Sequence, residues 1–445
     1  MAIRLFSARR LLVSGASLAV PAALGLAAPP ASAAAGQLSR VNDTPFPASQ
    51  TITGATWTTN RYDPPSNQFG DILATSSVSS DSLYVLINDG GTGTQQPARW
   101  RNSLAKVTGS PGQLQFTNVG DAGPAKTYAD VQSNEDLLGG PLGSYYANGF
   151  TAVGGVFYAT QVNNYDWNDN AAYQGLVGIA YSTDQGQTWQ SPKQPFPGPT
   201  GNLNFIQYGT NSGAPDGYVY AIATEREFNA NTLILGRARA DASDITNPAR
   251  WQWAATVKTS GDHASTTWTS SISSAKPVLT WNDHITYPRM SYDAGLHRYL
   301  LTFTYSYSDS TPGVWKDGSE LVILESPTPE GPFSFVASQE YFGPSNGYDP
   351  ALPVNWMSSQ GTDMWMIWAA NFSGCSTGLD CSGAYGFNYA QLHLTTAKPG
   401  RSTSTLATLQ PGRPRRRPRP DHTHVYATAP RELRSRWAND RVELV

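Results

Sequence analysis

The chain has 445 residues, 39% of them hydrophobic, 11% aromatic and only 14% charged, with 41 Gly and 13 Trp, a composition that points to a β-rich, aromatic-rich exported protein with ample material for a core. Its net charge of −3 hides an asymmetry, because residues 1–35 hold three Arg and no acid and residues 401–445 hold ten Arg against four acids. Removing those from 30 basic and 33 acidic residues leaves a body near −12, which repels nucleic acid and other polyanions and favours a neutral or weakly charged substrate.

Residues 1–35 read as an export signal rather than as structure. Arg4, Arg9 and Arg10 make a basic start, Leu11 to Leu26 is apolar, and Ala31-Ser32-Ala33 is a small-residue cleavage site. Arg9-Arg10 fits twin-arginine export only in part. No other stretch is long and apolar enough to span a membrane, so a secreted, extracellular monomer with no membrane or nucleic-acid partner is expected.

The stretch Gln68 to Gly90 predicts a strand, a turn at Ser80-Asp81 and a second strand ending in Asn88-Asp89-Gly90. Antiparallel pairing brings Asp71 and Asp89 to one edge of the sheet, where two carboxylates can form an acid/base pair. The plainer alternative is that both serve turns. From residue 50 to 400 strand-like segments alternate with Gly, Pro, Asn, Asp and Ser clusters, and no confident amphipathic helix occurs. They group into four sets of four, at 73–119, 146–189, 203–257 and 287–338, and one set of three made of PVNWMSS, DMWMIWAAN and NYAQLHLTT. TITGATWTT at 51–59 can supply the missing strand. The predicted fold is all-β, a five-bladed β-propeller over 36–398 closed by the N-terminal strand, with a pair of β-sandwiches as the competing architecture. Residues 399–445 are rich in Arg and Pro without a strand pattern. They are expected to be disordered and are assigned no function.

Ser182 to Trp189, STDQGQTW, matches the SxDxGxTW Asp-box in full. Its Ser and Asp are expected to bond a turn while its Trp packs between strands, a structural role. The box resembles those of sialidases and other propellers, but the early FRIP-like motif of a sialidase is not found. A wider resemblance, over roughly 65–395, is to bacterial five-bladed propellers of domain-of-unknown-function family 4185. It is carried by Gly70-Asp71, Asn88-Asp89-Gly90, Asp216-Gly217-Tyr218-Val219-Tyr220, Leu235-Gly236-Arg237, Glu330-Gly331-Pro332-Phe333 and Tyr348-Asp349-Pro350. One branch of that family resembles glycoside hydrolases that cut D-arabinan internally with aspartates near the propeller's start. The resemblance implies Asp71 and Asp89.

Other polar groups fall at comparable strand ends and are candidates to line the same face: Asn148, Glu225, Arg226, Tyr287, Arg289 and Asp349. Asp166 and Trp167 belong to a polar and aromatic loop suited to stacking on a sugar. For each alone, a hydrogen-bonding or packing role in the fold is the plainer reading. His284, with Tyr287 and Arg289, could abstract a proton beside a uronate carboxylate, which would make a polysaccharide lyase. Cys375 and Cys381, six apart in a Gly/Ser loop of an exported chain, are expected to form a local disulfide. No cofactor is expected; Ca²⁺ on loop carboxylates and carbonyls stays open, though no EF-hand loop is present. The leading expectation is a secreted glycoside hydrolase cutting a neutral, arabinan-like polysaccharide. The alternatives are the lyase and a non-catalytic carbohydrate-binding propeller.

Overall fold

The computed structural model describes residues 36–38, 44–65, 68–92, 100–119, 145–163, 177–190, 194–197, 200–211, 213–307, 317–344, 346–370 and 384–397. Contacts divide the chain into Met1–Lys398 and Pro399–Val445, and only the first unit contains described residues. That unit is all-β. The first strands are β1 (Gly36–Gln37) and β2 (Ile52–Trp57). A first group follows with β3 (Gln68–Ser79), β4 (Ser82–Thr92), β5 (Trp100–Thr108) and β6 (Gln115–Val119). The second holds β7 (Tyr145–Val153), β8 (Val156–Asn163) and β9 (Val177–Ser182).

The third group holds β10 (Asn202–Phe205), β11 (Tyr218–Thr224), β12 (Ala230–Arg239), β13 (Gln252–Ser260) and β14 (His263–Thr269). In the fourth are β15 (Leu279–Asp293), β16 (Arg298–Ser306), β17 (Ser319–Ser326) and β18 (Ser334–Gln339). The last comprises β19 (Tyr348–Ala351), β20 (Asp363–Ala369) and β21 (Asn388–Thr396). Every group is an antiparallel meander. β2 completes the last one, pairing antiparallel with β21 from Ile52↔Thr396 to Trp57↔Leu392, so TITGATWTT does add a strand there. The strands that open the groups touch in cyclic order: β3 lies against β7, β7 against β10, β10 against β15, β15 against β19, and β19 against β3.

Four details depart from the strand grouping. The segment at Thr188-Trp189 is not a strand; an isolated bridge, Tyr181↔Gln190, stands in its place. PVNWMSS carries a 3₁₀ turn at Val354–Trp356, and the opening strand is Tyr348–Ala351 just before it. Pro353 lacks the amide that a continuing ladder would need. β13 and β14 form a hairpin that leaves β12 after two paired residues, and β14 went unpredicted because its exposed Ser/Thr alternation has no apolar face. β15 begins eight residues before Tyr287. Its first part pairs with β12 and joins the third and fourth groups into one sheet.

The core lies between successive groups, and four of its five apolar clusters draw on two of them; the cluster between the last group and the first also takes in Phe228 and Tyr287. Ala74, Leu86 and Leu104 meet Phe150 and Phe157; Ile179 meets Leu203 and Val219; Leu235 meets Met290 and Phe303. Leu321 and Val336 meet Trp57 and Trp368, and Ile367 and Phe387 return to Leu73 and Val85. Each fully buried aliphatic or aromatic side chain contributes about 1.5–3 kcal/mol relative to exposure. Trp57 fastens β2 to this core: it is 2% exposed, packs at 5.9 Å from the Trp368 ring and donates Nε1–H to Gln339 Oε1 at 2.7 Å. Trp57→Ala is expected to remove about 3–5 kcal/mol of stability in guanidinium unfolding. A loss below about 1 kcal/mol, the range of an ordinary surface change, would show that β2 adds nothing to the core.

Candidate active site

Asp71 and Asn88 face each other across β3 and β4, and Asn88 faces Asn102 on β5, so the three form a row. The two strands come unusually close here. A Cβ on Gly90 would stand 2.1 Å from the Phe69 carbonyl oxygen, and Gly70 has φ +112°, so neither position accepts a side chain. Register shifts flank Asp71, and Ile72 and Asp89 take left-handed φ values of 48° and 47°. A β-branched residue in that region costs on the order of 1–2 kcal/mol, strain of the kind found at functional sites. Asp71 is 4% and Asp89 9% exposed. The predicted edge therefore exists, although both strands run on past it, from Gln68 to Thr92.

Asp71's hydrogen-bond partner comes from the last group: Tyr348 donates its phenol proton to Asp71 Oδ2 at 2.8 Å. The Tyr348 ring stands 6.0 Å from that of Tyr287, and Tyr287 donates its own phenol proton to Glu227 Oε1. Two neighbouring tyrosines thus hold two carboxylates. Glu227 is fully buried. Burial pushes its carboxyl well above the ordinary value; the Tyr287 hydrogen bond pulls it back, and the charge of Asp71 pushes it up again. The two carboxyl groups thus sit in unlike surroundings, with the proton affinity of Glu227 raised by burial and by the charge of Asp71, a difference of the kind that separates an acid from a base.

Glu227 sits in the turn between β11 and β12, whose shape its neighbours maintain. Glu225 accepts from Asn231 N at 2.5 Å, Thr232 N at 3.0 Å and Thr232 Oγ1 at 2.7 Å. Arg226 donates to the Asn229 carbonyl and pairs with Asp283. Asn229 N in turn donates to Thr286 Oγ1 at 2.6 Å, tying the turn to β15. Glu225 and Arg226 therefore do not join the buried carboxylates: they brace the turn that presents Glu227. That is the plainer, hydrogen-bonding role weighed for both rather than a place on the site's face, and sequence reasoning missed Glu227. The signal in ATEREFN was two glutamates two residues apart, and nothing local separates the brace from the buried acid.

Arg289 and Asp349 form a buried ion pair, Nε to Oδ1 at 2.6 Å, with side chains 9% and 0% exposed. Arg289 Nη1 also donates to the Asn148 carbonyl and to Asn204 Oδ1, the latter at 2.6 Å. Burial raises the Asp349 carboxyl, against which the Arg289 charge and the backbone amide of Leu73 lower it. One ion pair therefore reaches β3, β7, β10, β15 and β19. Asn148, Tyr287, Arg289 and Asp349 are thus brought to one region with Asp71, as the strand-end placement predicted. The turn role weighed for Asp349-Pro350 also shows, in a φ of 56° at Asp349.

His284 behaves otherwise. Its ring stacks on Trp281 at 4.4 Å, lies 4.3 Å from Tyr305, and places Nδ1 2.5 Å from the Asn282 carbonyl. A carbonyl only accepts, so Nδ1 carries the proton. With Tyr287 on Glu227 and Arg289 on Asp349, the three residues of the lyase reading each have a different partner. The Ser182–Trp189 turn closes on itself as its motif predicts. Ser182 Oγ donates to Asp184 Oδ1 at 2.7 Å and accepts from Gly186 N at 2.8 Å, and Thr188 N donates to Asp184 at 2.9 Å. Those bonds, first from the Thr188 backbone and then its hydroxyl, hold the Asp184 carboxyl down at about 2. Asp166, Trp167, Cys375 and Cys381 lie outside the described residues. Among the described residues no three His, Cys, Asp or Glu side chains are grouped to hold a metal ion, and no helix is long and apolar enough to cross a membrane.

No protein-family profile matches the sequence, so the likeness to family 4185 rests on the short motifs alone. No curated protein matches it either. Solved structures similar to it include a protein of unknown function from Dyadobacter fermentans, with 10% identity and a TM-score of 0.43, covering 77% of this chain and 100% of that one. A GH43_1 enzyme from Xanthomonas citri has 12% identity and a TM-score of 0.41 over 76% of this chain and 92% of its own. An exo-beta-1,3-galactanase from Phanerochaete chrysosporium has 10% identity and a TM-score of 0.42 over 76% and 65%.

Removing one member of a buried ion pair leaves the other uncompensated. Arg289→Met is expected to destabilise the protein by about 3–5 kcal/mol in urea unfolding. Arg289→Met combined with Asp349→Leu should recover part of that loss. A double variant no more stable than the single one would show that the pair does not act as a unit.

Proposed function

We propose that this chain is a secreted glycoside hydrolase built on a five-bladed β-propeller that β2 closes, and that it acts on a neutral, arabinan-like polysaccharide. The cyclic contacts of the five opening strands and the pairing of β2 with β21 support the architecture. The observation that carries the chemistry is the unlike surroundings of two carboxyl groups: Glu227, whose proton affinity burial and Asp71's charge raise, and Asp71, which accepts from Tyr348. In this reading Glu227 is the general acid that protonates the leaving oxygen. Asp71 is the base or nucleophile on the sugar's other side, and Tyr348 keeps it oriented. Asp89 lies one residue beyond Asp71's cross-strand partner and is the second carboxylate at that edge. The acidic body and the export signal fit a neutral extracellular glycan rather than a uronate or a nucleic acid.

Mass spectrometry of products from arabinan, xylan, galactan and polygalacturonate tests the proposal. Fragments carrying an added water are expected from a neutral polymer; unsaturated ends would replace it with elimination chemistry. Asp71→Asn and Glu227→Gln should each lower kcat by about 10²–10⁴-fold with the fold intact. Activity should fall as pH rises through the Glu227 value, because the acid loses its proton there. Tyr287→Phe removes the bond that stabilises the ionised form, so the alkaline limb of kcat/KM should move to higher pH. A limb that stays in place would separate it from Glu227.

A further inference from the structure

Three carboxamides beside this site are buried with hydrogen-bonding atoms left unpaired. Asn88, Asn148 and Asn202 are each 0% exposed. Both amide atoms of Asn88 and of Asn148, and Nδ2 of Asn202, have no partner among the described residues. Buried amides are nearly always paired in folded proteins, because water they surrender must be replaced. Other buried side-chain atoms among the described residues also lack partners, Glu227 Oε2, Arg289 Nη2 and Asp349 Oδ2 among them, but these three amides follow one another along a single line.

The three belong to one belt. Asn88 lies in the row between Asp71 and Asn102, and Asn102 Oδ1 accepts from Ala147 N at 2.8 Å, one residue before Asn148. The Asn148 carbonyl accepts from Arg289, which also reaches Asn204. Asn204 Nδ2 donates to Asn202 Oδ1 at 3.3 Å. The belt starts at Asp71 and crosses the openings of three groups. We infer that Asn88, Asn148 and Asn202 form a subsite that binds the hydroxyl groups of a neutral sugar residue next to the Asp71–Glu227 pair. Its place in catalysis rests on the hydrolase reading; its existence as a binding site does not.

The chemistry fits that ligand class. A carboxamide presents two donors and an acceptor on one plane, and a sugar hydroxyl both donates and accepts, so each group can satisfy the other. A uronate would set a carboxylate near Asp71 and Asp349, and the guanidinium at the belt, Arg289, already has Asp349 as its counter-ion. Unpaired amides also cost stability, which a binding role explains and a purely structural role does not.

The test is calorimetric titration of the Glu227→Gln chain with arabino-, xylo- and galacto-oligosaccharides and with oligogalacturonate, repeated after adding Asn148→Ala or Asn202→Ala. Alanine keeps the Asn148 carbonyl that Arg289 needs. At least one neutral oligosaccharide should bind, and either substitution should weaken it tenfold or more while Tm stays level or rises. A lower Tm with unchanged binding would make the amides structural and end the inference. So would failure of both variants to fold, absence of binding to every neutral oligosaccharide, or tighter binding of oligogalacturonate. Amide-dependent binding by a wild-type chain that cleaves none of these sugars would end the hydrolase reading and leave the subsite standing.

Discussion

The Arg289–Asp349 ion pair is where the five strand groups are joined. Apolar clusters hold each group to the next, most of them between two groups at a time. The ion pair acts across all of them, through Asp349 on β19 and Leu73 on β3, and through Arg289 on β15 to Asn148 on β7 and Asn204 on β10. Burying two charges is costly unless geometry and extra hydrogen bonds compensate. Here guanidinium donors reach backbone and side-chain oxygens that would otherwise be orphaned. The pair thereby converts five separate strand openings into one polar centre of defined shape.

That centre departs from ordinary packing. Ile72, Asp89, Tyr287 and Asp349 all take left-handed backbone angles, and Glu227 is enclosed with a raised proton affinity. For such an acid the folded state binds its proton more tightly than the unfolded chain does. The stability it contributes is present below the ordinary carboxylate range and is lost as pH rises through the raised value of the folded state. Strain, a buried carboxyl and unpaired amides all oppose folding, and they lie on β3, β4, β7, β10, β15, β19 and the β11–β12 turn. The apolar clusters between the groups must supply the opposing stability. Stability and chemistry are in this way assigned to different parts of each group.

The two tyrosines give the carboxylates different environments by a simple device. Tyr348 and Tyr287 each donate one proton, to Asp71 and Glu227 respectively. The bonds are alike, so the difference must arise elsewhere, and burial of Glu227 beside the charge of Asp71 provides it. A lone carboxylate at either place would lack the partner that separates acid from base.

Period-two patterning and turn residues made most strands legible in the sequence, including the pairing of TITGATWTT with the last group, because each signal is local. Strand ends also marked out Asp71, Asn148, Tyr287, Arg289 and Asp349, since opening strands converge whatever their details. β14 escaped because its Ser/Thr alternation carries only the half-buried Trp268 as a large apolar residue. Local reasoning could not choose between Glu225 and Glu227, nor see that His284 would stack on Trp281. Burial and proton affinity are properties of what surrounds a side chain, and those surroundings come from β3, β15 and β19, which are distant in sequence. Local patterning was enough for most of the strands, their order and a shortlist of polar residues. Which carboxylate is buried, which is braced and which arginine is already paired emerged from the packed chain, because desolvation and charge act through space.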